Sequence, residues 1–244
     1  RHDRGRGHRH LLAPFLSSEI LTNSNPNINA PFGFGKVKNT GRIFPLQLLT
    51  AYKEYLQKRN RLTKEIFEYD QVSERDNQII YKEVKAKKVI FTEGAAALQN
   101  PFFPKHYLIP NKGEFLIVRS PQLQLDVMLK GPVYLIPLGN DLYKVGATYS
   151  RDDITYDITT TGKEEITQKL KKMILCDFEV IDQVAGMRPT TKDRRPLVGV
   201  MPQGLNKVFL NGLGTHGIMG APFLSEMLYN HLENGIALPK EVNI

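Results

Sequence analysis

Two stretches toward the C-terminal end hold residue types that could do chemistry. The first reads Ala185-Gly186-Met-Arg188-Pro-Thr-Thr-Lys-Asp193-Arg-Arg195-Pro-Leu-Val-Gly199, with three arginines, one lysine and one aspartate inside eight residues. So charged a run, punctuated by Pro189 and Pro196, predicts a rigid polar loop. Arg188, following a strand, could present its planar fork to a carboxylate. The same arginine could instead form a structural pair with Asp193, five residues on. The second stretch, Gly212-Leu-Gly214-Thr215-His216-Gly217, satisfies G-x-G-x-x-G between an apolar run, Val208-Phe-Leu210, and a helical pattern starting near Ile218.

That glycine pattern alone would suggest a dinucleotide-binding turn, but only 27 residues follow Gly217. A βαβ unit with its acid on the second strand needs ~30 or more. The local physics survives the objection. Glycines let backbone approach a ligand closely, and a helix start aims N–H groups and partial positive charge at whatever lies above it. An anion or an electron-rich ring is the natural guest. The alternative is a tight strand-to-helix turn that needs glycine only for its dihedrals.

These residues must be positioned by the elements around them. Pro45 suits a first helical turn, and Leu48, Leu49, Tyr52, Tyr55 and Leu56 recur at helical spacing up to Lys58 and Arg59. A second helix is predicted over Lys163 to Leu175, with Ile166, Leu170, Met173 and Ile174 on one face. A third runs from about Ile218 to Leu232 and closes at Asn234-Gly235. Alternating runs predict strands at Gly33–Val37, Ile66–Tyr69, Ile79–Val84, Lys88–Phe91, Phe115–Val118, Gln124–Leu129, Val133–Ile136, Leu142–Val145, Phe178–Ala185 and Lys207–Leu210. Asn140-Asp141 marks a hairpin corner, and residues 11–31, rich in Asn, Ser and Pro, read as loop. The order implies an α+β or mixed α/β body with a largely antiparallel sheet.

Composition narrows the function. The 244 residues are 41% hydrophobic and 24% charged, with 12 Phe and 10 Tyr, which argues for a packed core rather than disorder. No apolar run approaches the ~20 residues of a membrane-spanning helix. One cysteine, Cys176, excludes an intrachain disulfide and fits a reducing, cytoplasmic setting. The formal charge of +8 falls to +5 without the first ten residues, which hold four Arg against one Asp and read as a tail. Nucleic acid is thus an open but unfavoured partner, and an anionic small molecule suits the surface as well. His106 and His231 have no metal-ligand partners at useful spacing, so no metal site is expected.

Taken together, Gly186-Met-Arg188-Pro-Thr-x-x-Asp193-x-x-Pro196-x-x-Gly199 and Asn211-Gly-Leu-Gly-Thr-His-Gly217-Ile-Met-x-Ala-Pro222 resemble the C-terminal signature of the glycine oxidase/D-amino-acid oxidase-like FAD-dependent oxidoreductases. Upstream, Gly41-Arg-Ile-Phe-Pro45, Lys88-Val-Ile-Phe-Thr92-Glu93-Gly94-Ala-Ala, Tyr134-Leu-Ile-Pro137 and Val145-Gly-Ala-Thr148 resemble further family segments, so the likeness covers roughly residues 32–244. It implies a substrate domain built on a large, mostly antiparallel sheet flanked by helices (66–85 and 101–185). The remnant of a Rossmann-like FAD-binding domain would comprise 32–65, 86–100 and 186–244, with residues 1–31 a poorly defined segment. Nothing in that segment resembles the family's N-terminal dinucleotide turn, so the chain is expected to be a fragment.

The resemblance also implies a chemistry: hydride transfer from the carbon bearing an amine to the flavin, giving an imine that water hydrolyses. Arg188 would bind the substrate carboxylate, Tyr134 would add a hydroxyl or close the pocket, and Tyr149 would line the site. Thr92, Glu93 and Gly94 would run past the phosphate and ribitol side of FAD. Gly186, Gly212, Gly214, Thr215, His216, Gly217 and Ile218 would face the flavin. Glycine oxidases carry a second arginine in the terminal loop, where this chain reads Gly214-Thr-His-Gly217, so glycine itself is the less secure substrate. Two other functions are kept open: a flavin-dependent oxidase of tRNA modification, and a non-catalytic substrate-binding fragment.

Overall fold

In a computed structural model the chain is described over residues 14–200, 204 and 206–243, so the basic stretch at 1–10 lies outside the described residues. Among the described residues, thirteen strands and three α-helices longer than a turn make a mixed α+β body, as the sequence pattern requires. Among the ladders whose register is described, all but one are antiparallel. Two compact units divide it: residues 1–54, 114–148 and 158–184, and residues 55–113, 149–157 and 185–244.

In the first unit β1 (Leu16–Leu21) pairs with β2 (Phe34–Val37), inside the segment expected to be loop. Its Leu-Ser-Ser-Glu-Ile-Leu sequence lacks clean alternation, and only the ladder to β2 makes it a strand. The helix α1 (Pro45–Gln57) starts at the expected proline. The main sheet has the order β11-β7-β10-β9-β8, from β7 (Leu108–Arg119), β8 (Leu129–Lys130), β9 (Tyr134–Gly139), β10 (Leu142–Gly146) and β11 (Glu179–Thr191). β7 and β11 contribute residues to both units. Asn140 and Asp141, both at positive φ (51° and 59°), turn β9 into β10 as their sequence predicts. Gln124–Leu129 was expected as one strand, yet only its last residue joins a ladder. Gln124 adopts φ 44°, and the chain there buries Leu123 and Leu125 instead of extending.

The helix α2 (Thr160–Lys171) begins three residues before the predicted start because Thr159 caps it, accepting from Gly162 N–H at 3.0 Å. Ile166 and Leu170 lie fully buried against Leu116, Val118, Leu135, Val145 and Tyr143.

In the second unit β3 (Val72–Arg75), β4 (Gln78–Tyr81) and β5 (Val84–Ala86) form a meander, so the single strand expected over 79–84 is a hairpin broken at Lys82, φ 53°. The strand expected over 66–69 is absent. Phe67 and Tyr69 leave the extended path to join Phe91, Phe102, Phe103 and Phe209 in an aromatic core. A three-stranded sheet orders β12 (Leu197–Val200), β13 (Lys207–Asn211) and β6 (Val89–Phe91), with β13 and β6 parallel. Helix α3 (Gly217–Asn234) packs Leu224 and Leu228 on Val198 and Val208, and Gly235 at φ 69° closes it by donating to the carbonyl of Asn230.

No described helix is long and apolar enough to cross a membrane.

Candidate active site

Arg188 sits within β11, inside a strand and not on the expected loop, and alternation places Gly186, Arg188 and Thr190 on one face. Its half-buried guanidinium is held by the polar turn of β7: Nη1 donates to Asn111 Oδ1 at 2.8 Å and to the carbonyl of Lys112 at 3.2 Å. Asn111 is fully buried, and its Nδ2 donates to the carbonyl of Ser150 at 2.9 Å. The guanidinium carbon lies 5.7 Å from the ring centre of Tyr149, itself 51% exposed. A Cβ on Gly113 would overlap three guanidinium atoms of Arg188, so glycine there is what admits the side chain. Burial pulls the Arg188 pKa below its ordinary value, with Tyr149 acting the other way. The group keeps its charge, and both named acceptors are neutral oxygens.

The structural alternative for Arg188 does not hold, because Asp193 belongs to Arg195. Its carboxylate accepts from Arg195 N–H at 3.1 Å and stands 4.0 Å from Arg195 Nε. That backbone hydrogen bond is the main reason its carboxyl is held below the ordinary range. Thr191 Oγ1 donates to the carbonyl of Arg195 at 2.8 Å, which closes the turn after β11.

The glycine turn is anchored from its first residue. Asn211, 2% exposed, donates from Nδ2 to the carbonyl of Gly94 at 2.9 Å and accepts Gly212 N–H on Oδ1 at 2.8 Å. Gly212, at φ 72°, would drive a Cβ to 2.6 Å from Thr191 Cγ2, and a Cβ on Gly214, at φ 56°, would stand 3.4 Å from Thr190 Cγ2. A Cβ on Gly94, at φ 60°, would stand 3.9 Å from Pro189 Cγ. Three sequence-predicted segments, 92–94, 186–191 and 211–218, are thus brought together within one unit. Helix α3 opens there with no side-chain cap and no acid in its first turn. Ile218 and His216 are exposed, Thr215 Oγ1 lies 3.2 Å from His216 Nδ1, and no atom lies within 4 Å of the Cβ position on Gly186.

Glu93, Thr92 and Tyr134 are placed as follows. Glu93 turns its carboxylate inward, accepting from Tyr69 Oη at 2.5 Å and from the fully buried Asn100 at 2.8 Å, while Thr92 stays exposed. Desolvation first, then the bond to Glu93, pushes the Tyr69 phenol up to about 12. Tyr134 belongs to the first unit, on β9, 42% exposed, with Lys130 Nζ 5.4 Å from its ring centre.

Asn111, Lys112 and Gly113 escaped the sequence reading, and Asn211 entered it only as the first residue of the terminal signature, with no role of its own. The signal was present: Asn111-Lys-Gly-Glu114 interrupts an otherwise apolar strand, and buried polar residues in a strand must be hydrogen-bonded to something specific.

An uncapped helix start approached by left-handed glycines, one of them over the strand that carries Arg188, is a donor set that fits the electron-rich edge of a flavin. A family model described as FAD dependent oxidoreductase (DAO) matches residues 3–230. The glycine oxidase of Bacillus subtilis (strain 168) is 29% identical over 205 residues, covering 78% of this chain and 54% of that protein. The chain therefore spans about half the length of that curated relative. Among solved structures, L-proline dehydrogenase from P. horikoshii matches at a TM-score of 0.69 and 15% identity, covering 90% of this chain and 65% of the other. Iminodiacetate oxidase from Chelativorans sp. BNC1 matches at 0.62 and 21%, covering 86% and 59%. At those identities the likeness is one of fold. FAD is the cofactor of the matched family, and the chain belongs to that family, the DAO-type FAD-dependent oxidoreductases.

Proposed function

We propose that this chain is the substrate-binding and flavin-facing part of an FAD-dependent oxidoreductase that oxidises the C–N bond of an amino acid or a related small amine. The observation that carries it is Arg188: a half-buried cation fixed by two neutral oxygens beside an exposed tyrosine. Desolvation makes such a cation favour an anion, and the planar fork suits a carboxylate. Residues 66–85 and 101–185 are assigned to the substrate domain, and 32–65, 86–100 and 186–244 to the FAD-binding domain.

FAD, when bound, supplies the hydride acceptor. The chain supplies orientation. Arg188 binds the carboxylate and so fixes the neighbouring carbon, and Tyr149 flanks that carboxylate and limits its access to water. The turn of Gly212, Gly214, Thr215 and His216 leads into the start of α3 at Gly217 and Ile218, whose N–H groups are fixed dipoles that would face the edge of a flavin where negative charge develops. Thr92, Glu93 and Gly94 would form the turn on the phosphate and ribitol side of FAD, and Gly186 leaves the strand surface open.

The test uses the full-length protein, purified with its flavin. Anaerobic mixing with small amino acids is expected to bleach the flavin absorbance. Arg188→Ala is expected to weaken the apparent substrate affinity by ~2 to 5 kcal/mol, the cost of losing one partner of a buried charge pair. Flavin-replete protein that no primary or secondary amine reduces would end this reading.

A further inference from the structure

Lys112 is the most deeply buried charged residue of the second unit, at 1% exposure, and the chemistry above uses its carbonyl but not its ammonium. Its Nζ reaches Asp153 Oδ2 at 2.5 Å and Thr155 Oγ1 at 3.4 Å. Asp153 in turn accepts Thr155 N–H at 2.8 Å and the Thr155 hydroxyl at 2.7 Å on Oδ1, so one carboxylate knots a turn and is tied by Lys112. The backbone of Lys112 works at the other end of the same segment. Its N–H donates to the carbonyl of Ser150 at 2.8 Å, and its carbonyl accepts both Ser150 N–H at 3.0 Å and Arg188 Nη1 at 3.2 Å.

The segment so tied, 149–157, has no regular structure apart from a single bridge at Ser150, and no apolar anchor. Ile154 and Tyr156 are 62% and 66% exposed, and of residues 151–157 only Asp153 is not exposed. Without burial, polar ties decide whether such a strap holds one position. Tyr149 is its first residue. Lys112 therefore joins both named flanks of the carboxylate site, Arg188 through its carbonyl and the Tyr149 strap through its backbone and ammonium.

We propose that Lys112, with Asp153, is a positioning residue that presets the carboxylate site by holding the 149–157 strap against the strand segment that anchors Arg188. The proposal rests on the carboxylate-binding role given to Arg188 above. Asp153 is held down to about 2, chiefly by its bond to Lys112, so its carboxylate stays ionised throughout the working range.

The test uses the full-length, flavin-replete protein with Lys112→Met, Lys112→Arg, Asp153→Asn and Arg188→Met. The probe is acetate, with acetamide as its neutral counterpart, and binding is read by competition against the amino-acid substrate. Lys112→Met is expected to lower acetate affinity and raise KM by between about ten- and a hundredfold, as misplacement by ~1 Å does. The kcat should change by less than KM, and acetamide competition should stay unchanged. Tryptic cleavage after Arg151 should speed up in Lys112→Met and in Asp153→Asn, and Lys112→Arg should restore most of both properties.

Arg188→Met losing acetate while Lys112→Met and Asp153→Asn retain wild-type affinity and cleavage would overturn the positioning role and leave the carboxylate site standing. Acetate affinity unchanged in Arg188→Met would overturn that site and the positioning role with it. If Lys112→Met fails to accumulate, Asp153→Asn decides alone, since it removes the tie at a partly solvated residue.

Discussion

Gly113→Ala tests the geometry of the site most directly. The φ of Gly113 lies outside the left-handed region, so alanine meets no backbone penalty and the effect is steric alone. Its Cβ would overlap Nη1, Nη2 and Cζ of Arg188. Ordinary carbon contact needs ~3.5 to 4.0 Å, so the guanidinium must retreat by more than ~1 Å. That displacement breaks the 2.8 Å bond to Asn111, whose Oδ1 is fully buried and would be orphaned at a cost of about 1 to 3 kcal/mol. Stability should fall by about 2 kcal/mol, or ~4 to 8 °C in Tm for a chain of this size. The apparent affinity for a carboxylate substrate should fall by about a hundredfold, for an arginine moved by ~1 Å. Gly186→Ala, on the Arg188 face of β11 with nothing within 4 Å of its Cβ position, is the control for stability alone and should unfold within ~0.5 kcal/mol of wild type. Denaturant unfolding and steady-state kinetics read both quantities. A Gly113→Ala protein with wild-type stability and wild-type KM would refute the claim that Arg188 is fixed by close packing on that glycine.

Three more outcomes follow from particular contacts. Gly162→Ala should destabilise the protein by about 1 to 2 kcal/mol despite the ~1 kcal/mol gain in helix propensity, because the new Cβ falls 2.6 to 2.9 Å from the Glu114 carboxylate. That carboxylate accepts from Thr159 N–H, the Thr159 hydroxyl and Gln183, and a stabilised variant in urea melts would contradict this. The Tyr69 phenol, raised to about 12, contributes stability that is fully present below about pH 10 and is lost as pH rises toward 12. The difference titration of wild type against Tyr69→Phe at 295 nm should show one phenol near 12, and Glu93→Gln should move it part of the way back, burial remaining. Asn211→Leu should orphan the Gly94 carbonyl and Gly212 N–H and cost about 2 to 4 kcal/mol, read as loss of flavin retention together with a lower denaturation midpoint.

Much of this protein is written locally. Helices α1, α2 and α3 follow from 3.6-residue periodicity, Pro45 and Gly235, and the β9–β10 corner from Asn140-Asp141, because each depends on neighbours a few residues apart. The glycine turn is equally legible, since its left-handed dihedrals leave glycine as the natural choice at 212 and 214. Strand limits are less so: β1 exists only through its partner β2, and Phe67 and Tyr69 exchange an alternating pattern for an aromatic core assembled from residues up to 140 positions away.

The site divides the same way. Sequence alone shows that Arg188 carries a planar fork suited to a carboxylate and that the 212–217 turn and the helix start behind it suit an anion or an electron-rich ring. Tertiary structure alone decides that Arg188 answers to Asn111 and Lys112 and not to Asp193, that Glu93 faces Tyr69, and that Gly113 must lack a side chain. The physical reason is distance along the chain. A hydrogen bond between residues 77 apart, such as that from Arg188 to Asn111, leaves no periodicity for a sequence to show, and comes into being only when two strands are laid side by side.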